Sequence, residues 1–156
     1  MCRGFRIAVL LLIAVSNGFA QNAGQLNVVK PLIADKDLVI SIAELSENAV
    51  FYPVDIDGTR LEVLAVKAPD GSIRTAFNTC QVCYGSGRGF YKQQGALLIC
   101  QNCGNRFRMS QVEKQSGGCN PVPIFAENKT VSDSTITIPK EFLLKAKGIF
   151  ARWRRS

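Results

Sequence analysis

Hydrophobic residues along most of the chain alternate or cluster in the way that short β-strands require. Segments rich in branched and aromatic residues lie at residues 38–42, 49–54, 61–67, 73–77, 96–99 and 135–138. The dipeptides Asp57-Gly58, Asp70-Gly71 and Gln94-Gly95 separate neighbouring segments, and each predicts a hairpin turn. The pattern therefore predicts a small all-β domain, a sandwich or a barrel, over residues 37–139.

The amino-terminal residues have a different character. Residues 1–6 are short and basic, and the apolar run at residues 7–15 is too brief to span a bilayer. Gly18 and Ala20 are small residues at the positions that a signal peptidase requires. We therefore predict a signal peptide over residues 1–20, cleaved before Gln21, with an uncleaved membrane anchor as the alternative. Residues 21–36 are interpreted as a polar lead-in.

The period of the hydrophobic pattern changes from two to 3.6 at Lys140. One helical face would carry Phe142, Ala146, Ile149, Phe150 and Trp153. This predicts a basic amphipathic helix over residues 140–156, which either completes the domain's own core or lies on an anionic membrane surface. We favour core closure, because the segment is short and contains a glycine at position 148.

The net charge of +7 is concentrated at the two ends of the chain. Residues 1–20 contain two arginines and no acid, and residues 140–156 contain six cations against one acid. The remainder is neutral overall, so the basic surface of a nucleic-acid groove is not expected and no nucleic-acid partner is predicted. The chain contains no histidine, which excludes Ser-His-Asp catalysis, histidine-ligated haem and zinc bound through imidazole.

Five cysteines follow the predicted signal peptide: Cys80-x-x-Cys83, Cys100-x-x-Cys103 and Cys119. A C-x-x-C turn directs two thiolates at one point, and two such turns can complete a tetrahedral cage of sulfur atoms. The sequence therefore predicts a four-cysteine metal site formed by Cys80, Cys83, Cys100 and Cys103.

Disulfides and a redox dithiol are the alternatives in an oxidising compartment. A disulfide that closes so short a loop stabilises a protein by about 2 kcal/mol, whereas a structural metal in four thiolates contributes on the order of 10 kcal/mol. The magnitudes favour metal. Zinc, a single iron and a two-iron cluster all suit four thiolates, and the spacing leaves all three open. The segment before the apolar run lacks adjacent arginines, so a cofactor would be acquired after export.

Three stretches of the chain, residues 76–84, 99–107 and 117–124, resemble the FtrD-like iron–sulfur family. They contain the two cysteine pairs, Cys119 and the Asn-Pro-Val-Pro-Ile sequence that follows it, and the similarity extends over roughly residues 38–140. The resemblance implies an exported protein, periplasmic or attached to the extracytoplasmic face of the membrane. It also implies an iron–sulfur cluster, or a single iron, with zinc as the chemical alternative.

The family resemblance implies electron transfer or iron handling linked to iron uptake, with redox or permease components of a transport system as partners. We accordingly expect an electron carrier or binding protein rather than an enzyme. A periplasmic binding module with structural zinc and a thiol-disulfide redox protein are the alternative functions. Contact of the carboxy-terminal tail with a membrane surface is a further expected interaction.

A wider similarity to Rieske domains concerns the arrangement of two ligand pairs followed by a proline-rich turn. In those domains the second ligand of each pair is histidine, and the corresponding residues here are Cys83 and Cys103. The resemblance places residues 117–121 over the metal, and hence Cys119 beside it, as a spare or exchangeable ligand or as a cap through backbone N–H groups. An ordinary buried thiol is the alternative for Cys119. Three arginines near the cysteines either offset thiolate charge or are solvated: Arg88, Arg106 and Arg108.

Overall fold

The computed structural model describes residues 28–155, and the predicted signal peptide lies outside the described residues. The strands are β1 (Val28–Val29), β2 (Ile33–Ala34), β3 (Leu38–Ser41), β4 (Val50–Ile56), β5 (Thr59–Lys67), β6 (Ile73–Cys80), β7 (Tyr91–Gln94), β8 (Leu97–Cys100), β9 (Arg106–Arg108), β10 (Pro121–Pro123), β11 (Thr130–Val131) and β12 (Thr135–Ile138). Two short helices follow, α1 (Lys140–Lys145) and α2 (Lys147–Phe150). Single 3₁₀ turns occur at Ile42–Glu44, Tyr84–Ser86, Met109–Gln111 and Ala126–Asn128.

The largest sheet has the order β1-β4-β5-β6-β10, and β2 also pairs with β4. Strands β4, β5 and β6 form an antiparallel meander, whose first hairpin turns at Asp57 and Gly58. Both residues have positive φ, 49° and 69°, which is the backbone of the hairpin turn that an Asp-Gly pair favours. At the edge of this sheet, β10 lies antiparallel to β6, although it is about 40 residues further along the chain.

Two three-stranded sheets complete the domain, in the orders β11-β12-β3 and β7-β8-β9. The all-β prediction is confirmed. Within residues 28–155 the sheets form no closed barrel, so the barrel alternative is wrong. The turns at Asp70-Gly71 and Gln94-Gly95 lie between β5 and β6 and between β7 and β8, as the sequence predicted.

The central sheet is buried on both faces. Val63 and Ala65 of β5 belong to a core formed with β3, β12 and the two helices. Leu64 and Val66 point to the opposite face and a second core, formed with the β7-β8-β9 sheet. The second core contains three of the cysteines, so the candidate metal site is built into the packing of the domain.

The carboxy-terminal segment differs from the single helix predicted over residues 140–156. The helix is interrupted between Lys145 and Lys147, and the chain leaves helical structure after Phe150. A glycine at position 148 favours helix poorly, and tertiary packing decides the remaining course of the chain. Leu143, Ala146 and Phe150 lie in the first core, so the apolar face of this segment packs against the domain itself.

The segment interpreted as a polar lead-in also differs from expectation. It contains strands β1 and β2, which pair in parallel with β4. Each has two residues, too few for the alternation that would reveal a strand in the sequence. The pairing exists because β4 presents a free edge to this part of the chain.

Candidate metal site

The first cysteine loop begins where strand β6 ends. Cys80 is the last residue of β6, and its backbone N–H donates to the carbonyl of Gly89, 2.7 Å away, which closes the loop. The backbone N–H of Cys83 points back to the Cys80 sulfur at 3.4 Å. A 3₁₀ turn then leads to Gly87, whose φ of 76° ends the turn in the left-handed conformation. The loop holds both of its sulfur atoms on the inner side, where Cys80 and Cys83 are buried.

The second cysteine loop has the same construction at the end of β8. The N–H of Cys100 donates to the carbonyl of Asn105, 2.9 Å away, and the N–H of Gly104 donates to the carbonyl of Cys100, also at 2.9 Å. Gly104 has a φ of 73°, the left-handed conformation that glycine adopts without steric strain. Cys100 is buried and Cys103 is exposed. One of the four cysteines of the two C-x-x-C loops therefore reaches the protein surface.

Cys119 reaches the same place from a third segment. The register of β10 against β6 sets Pro121 opposite Cys80, so the residues just before Pro121 lie over the first cysteine loop. Three hydrogen bonds fix this approach. The Gln81 side chain accepts from the N–H of Gly117 at 2.8 Å, the Gln81 N–H donates to the carbonyl of Asn120 at 3.0 Å, and the Tyr91 hydroxyl donates to the carbonyl of Cys119 at 2.8 Å.

The five sulfur atoms form two overlapping groups. Those of Cys80, Cys83 and Cys119 lie within 4.8 Å of one another, and so do those of Cys83, Cys100 and Cys103. Cys103 and Cys119 close the arrangement with a sulfur–sulfur distance of 3.9 Å. All five are free thiols in the described structure. The two groups share Cys83, and together they include the four predicted ligands and Cys119.

The thiols differ in acidity because their surroundings differ. Burial raises the pKa of Cys100 to about 12 and also raises that of Cys83. The neighbouring Cys103 sulfur raises the pKa of Cys119 to about 12. The N–H of Asn105 lowers the pKa of Cys103.

Burial and hydrogen bonding oppose each other at Cys80. Burial acts to raise the pKa of Cys80, but the nearby Tyr91 hydroxyl and the hydrogen bonds from the N–H groups of Cys83 and Val82 outweigh it and lower that pKa. Burial, followed by the nearby Cys80 sulfur, raises the pKa of the Tyr91 hydroxyl. Tyr91 is therefore a hydrogen-bond donor to the site over the whole physiological range.

A polar network behind the cysteines was not found by the sequence analysis. Asn78 is fully buried; its side-chain oxygen accepts from the N–H of Tyr91 at 2.8 Å, and its amide donates to the Glu62 carboxylate at 2.6 Å. The Trp153 indole donates to the Asn78 carbonyl at 3.2 Å, and the N–H of Arg154 donates to the Gly87 carbonyl at 2.8 Å. These contacts tie the carboxy-terminal tail to both ends of the first cysteine loop. The one sign of this network in the sequence is Asn78 itself, a polar residue inside an apolar strand segment, two positions before Cys80.

The arginines near the cysteine loops are exposed. Arg88, Arg106 and Arg108 all lie at the surface, which agrees with the solvated alternative. Val82 and Tyr84, on either side of Cys83, are also exposed, by 63 % and 41 %.

A comparison with known protein families matches residues 45–150 to the FtrD-like family, described as membrane iron–sulfur containing proteins. The chain belongs to the FtrD-like family. The match includes both cysteine loops and Cys119, so the family's sequence pattern and the converging sulfurs occupy the same part of the chain. No curated protein and no solved structure matches the chain.

The donor set of this FtrD-like protein fits a metal or iron–sulfur cofactor. Thiolates are the ordinary ligands of iron–sulfur clusters, and they also suit zinc. The cysteines on the two loops and Cys119 supply five of them, in two neighbouring groups that share Cys83. Although the family description refers to a membrane, the part of the chain at residues 28–155 contains no helix of sufficient length and hydrophobicity to span one.

Proposed function

We propose that this protein is an iron–sulfur electron carrier of the cell envelope that serves an iron-uptake system, and that it is not itself an enzyme. Cys80, Cys83, Cys100 and Cys103 would hold a two-iron cluster. The observation that carries the proposal is the convergence of sulfur atoms from two loops that are 20 residues apart in sequence, in the segment that matches an iron–sulfur family.

The burial of three of the four thiols and the exposure of the fourth suit electron transfer. Three are enclosed in the second core, which keeps water from the inner side of the site, and the exposed Cys103 brings one edge to the surface. Four thiolate ligands give two-iron clusters a low reduction potential, about −400 mV in plant-type ferredoxins. Hydrogen bonds from backbone N–H groups to Cys80, with the nearby Tyr91 hydroxyl, stabilise thiolate charge and shift the potential upward from that of an unbonded sulfur.

The surface around Cys103 suits an acidic redox partner. Residues 71–112 contain no Asp or Glu and four exposed cations, Arg88, Lys92, Arg106 and Arg108, whereas Arg74 is buried and paired with Asp70. Arg88 and Arg106, which lie close in sequence to the two cysteine loops, are exposed. A partner with carboxylates around its own redox centre would be attracted and oriented by this face. We propose that this partner is a redox or permease component of the transport system, on the extracytoplasmic side of the membrane.

Anaerobic purification followed by elemental analysis tests the assignment. The proposal expects a brown protein with two iron and two acid-labile sulfide per chain, whose visible absorption bleaches reversibly with dithionite. A Cys100→Ala variant is expected to lose both iron and sulfide, because Cys100 is a buried member of the site. A colourless protein with disulfides within the two loops would overturn the proposal in favour of a thiol-disulfide protein.

Structural zinc is the second candidate function. The observation that favours it is the packing of Cys80, Cys83 and Cys100 among the residues of the second core, where a metal would join two sheets. A colourless protein with one zinc per chain, whose unfolding midpoint falls sharply when the metal is chelated, would support this function. Binding of a partner would then depend on the surface of the domain and not on electron transfer.

A further inference from the structure

Cys119 occupies a position equivalent to that of a ligand. Its sulfur lies within 4.8 Å of those of Cys80 and Cys83 and 3.9 Å from that of Cys103. Two thiolates on one tetrahedral ion, each bonded at about 2.3 Å, lie about 3.8 Å apart. The distance between Cys103 and Cys119 is therefore that of two sulfurs able to bind the same ion.

The backbone around Cys119 is held in place independently of any metal. Its carbonyl accepts from the Tyr91 hydroxyl at 2.8 Å and from the Asn105 side-chain amide at 2.9 Å. Asn105 lies two residues after Cys103, so this second bond joins the two thiol-bearing segments directly. Gln81 fixes the residues on both sides of Cys119 through Gly117 and Asn120. The Cys119 sulfur is consequently a fixed feature of the site and not a thiol on a free loop.

We infer that Cys103 and Cys119 are alternative fourth ligands of one metal centre, an inference that rests on the proposed function. Cys80, Cys83 and Cys100 are buried and would stay bound to the metal throughout, whereas Cys103 is exposed and Cys119 is partly exposed. In the exchange, the bond from the metal to the Cys103 sulfur breaks and a bond to the Cys119 sulfur forms. The proton of the Cys119 thiol passes to the released Cys103 sulfur, and no electron is transferred.

The exchange has a chemical consequence for iron handling. A centre that can release its exposed ligand while remaining four-coordinate presents a free thiol at the surface. An external thiol or carboxylate ligand can then approach the metal on that side without first removing it from the protein. The site would serve exchange of metal with a partner as well as transfer of electrons.

Alanine variants of the two residues provide the first test. We expect Cys103→Ala and Cys119→Ala each to bind Co²⁺ within about threefold of the wild-type affinity, with the sulfur-to-metal absorption of four thiolates. The double variant should bind on the order of 100-fold more weakly, since one of four ligands is lost. Cys100→Ala is the control, because it should lose affinity as a single variant. Loss of binding in either Cys103→Ala or Cys119→Ala, or retention in the double variant, would overturn the inference.

Alkylation of the wild-type, metal-loaded protein provides a second test that needs no variant. Iodoacetamide should label about one thiol per chain, divided between Cys103 and Cys119, while the buried thiols remain protected. Arg106, Arg108 and Lys114 lie between the two residues, so trypsin separates them for mass spectrometry. Label confined to one of the two residues would contradict exchange.

Iron and sulfide analysis of the same variants separates this inference from the proposed function. A wild-type protein that binds Co²⁺ but takes up no iron and sulfide would refute the iron–sulfur assignment, and the cobalt spectra would still decide whether Cys103 and Cys119 substitute for each other. A wild-type protein that holds a cluster, with a Cys103→Ala variant that does not, would refute the exchange alone.

Discussion

The guanidinium of Arg155 is paired with the carboxylate of Glu62, 93 residues earlier in the chain. Glu62 is only 2 % exposed, and Arg155 lies over the ring of Phe51 at 4.7 Å from its centre. Because Glu62 also accepts from Asn78, the pair connects the end of the chain to the network behind the cysteines. The basic tail therefore neutralises a buried acid of the β domain.

Removal of Arg155 should destabilise the protein. In Arg155→Ala the carboxylate of Glu62 would be buried without its cation, which typically costs about 3 kcal/mol in the free energy of unfolding. Arg154→Ala, at an exposed neighbouring position, is the matched control and should change that free energy by less than about 0.5 kcal/mol. Urea denaturation measures both variants. Adding Glu62→Gln to Arg155→Ala should recover part of the loss; if it does not, the buried charge is not the cause.

The same pair has a predictable pH dependence. Burial raises the pKa of Glu62 above its ordinary value of 4.5, so the folded protein holds this proton more tightly than the unfolded chain does. Tighter binding of this proton contributes fully to the free energy of unfolding below pH 4.5. The contribution is lost as the pH rises through the pKa that Glu62 has in the folded protein. Without Arg155 that pKa rises further. The destabilisation by Arg155→Ala should therefore be larger at pH 7 than at pH 5, and equal values at both would contradict this account.

Gly89 should be essential to the geometry of the first cysteine loop. A Cβ at this position would lie 2.9 Å from the backbone carbon and oxygen of Cys83, closer than real contacts allow. Cys83 would have to move, and we expect Gly89→Ala to weaken metal binding roughly 10-fold or more. Gly85→Ala, in the same loop, is the control because its Cβ would meet no atom within 4 Å. Competition with a chromophoric chelator measures both affinities, and equal weakening by the two variants would refute the steric explanation.

Removal of the Tyr52 hydroxyl should stabilise the protein. The hydroxyl is buried, and no hydrogen-bond partner for it exists among residues 28–155. Tyr52→Phe should raise the free energy of unfolding by about 1 kcal/mol, since the buried group then no longer needs solvation. Tyr91→Phe should lower it, because the Tyr91 hydroxyl bonds to the Cys119 carbonyl. Thermal and urea unfolding measure both variants, and the prediction is wrong if Tyr52→Phe is less stable than Tyr91→Phe.

A pH series adds a second measure for Tyr52. Burial raises the pKa of Tyr52 from 10.0 to about 12, so the folded protein holds this proton more tightly than the unfolded chain. The stability that the Tyr52 proton contributes is lost as the pH rises through this interval, and this particular loss is absent from Tyr52→Phe. The advantage of the variant should therefore increase above pH 10.

Metal uptake should depend strongly on pH. The raised pKa of Cys100, about 12, and that of Cys83 mean that these thiols are protonated in the metal-free protein at pH 7. Metal binding must displace these protons, so the apparent affinity for Zn²⁺ or Co²⁺ should rise more than tenfold per unit between pH 6 and pH 8. Proton release on binding, measured in weakly buffered solution, should exceed one per metal. An affinity independent of pH would mean that the thiols are already ionised.

Much of the fold was predictable because its signals are local. The strands at Ile73–Cys80 and Thr135–Ile138 agree with their hydrophobic segments to within a few residues, and the hairpins at Asp57-Gly58 and Gln94-Gly95 follow from turn residues. The two C-x-x-C spacings identified a shared site, since a short loop directs both of its thiols to one side. The sequence analysis did not identify Tyr91 and Asn78 as part of the site, because their roles depend on contacts between strands.

The sequence by itself determined the longer strands, the two cysteine loops and the absence of any histidine chemistry. The tertiary structure alone decided where Cys119 and the tail lie. Cys119 meets Cys103 because β10 pairs with β6, and Arg155 meets Glu62 because Trp153 and Phe150 pack on the first core. Period and turn residues constrain neighbours along the chain, whereas contacts between distant segments depend on register and burial, which form only when the whole domain packs.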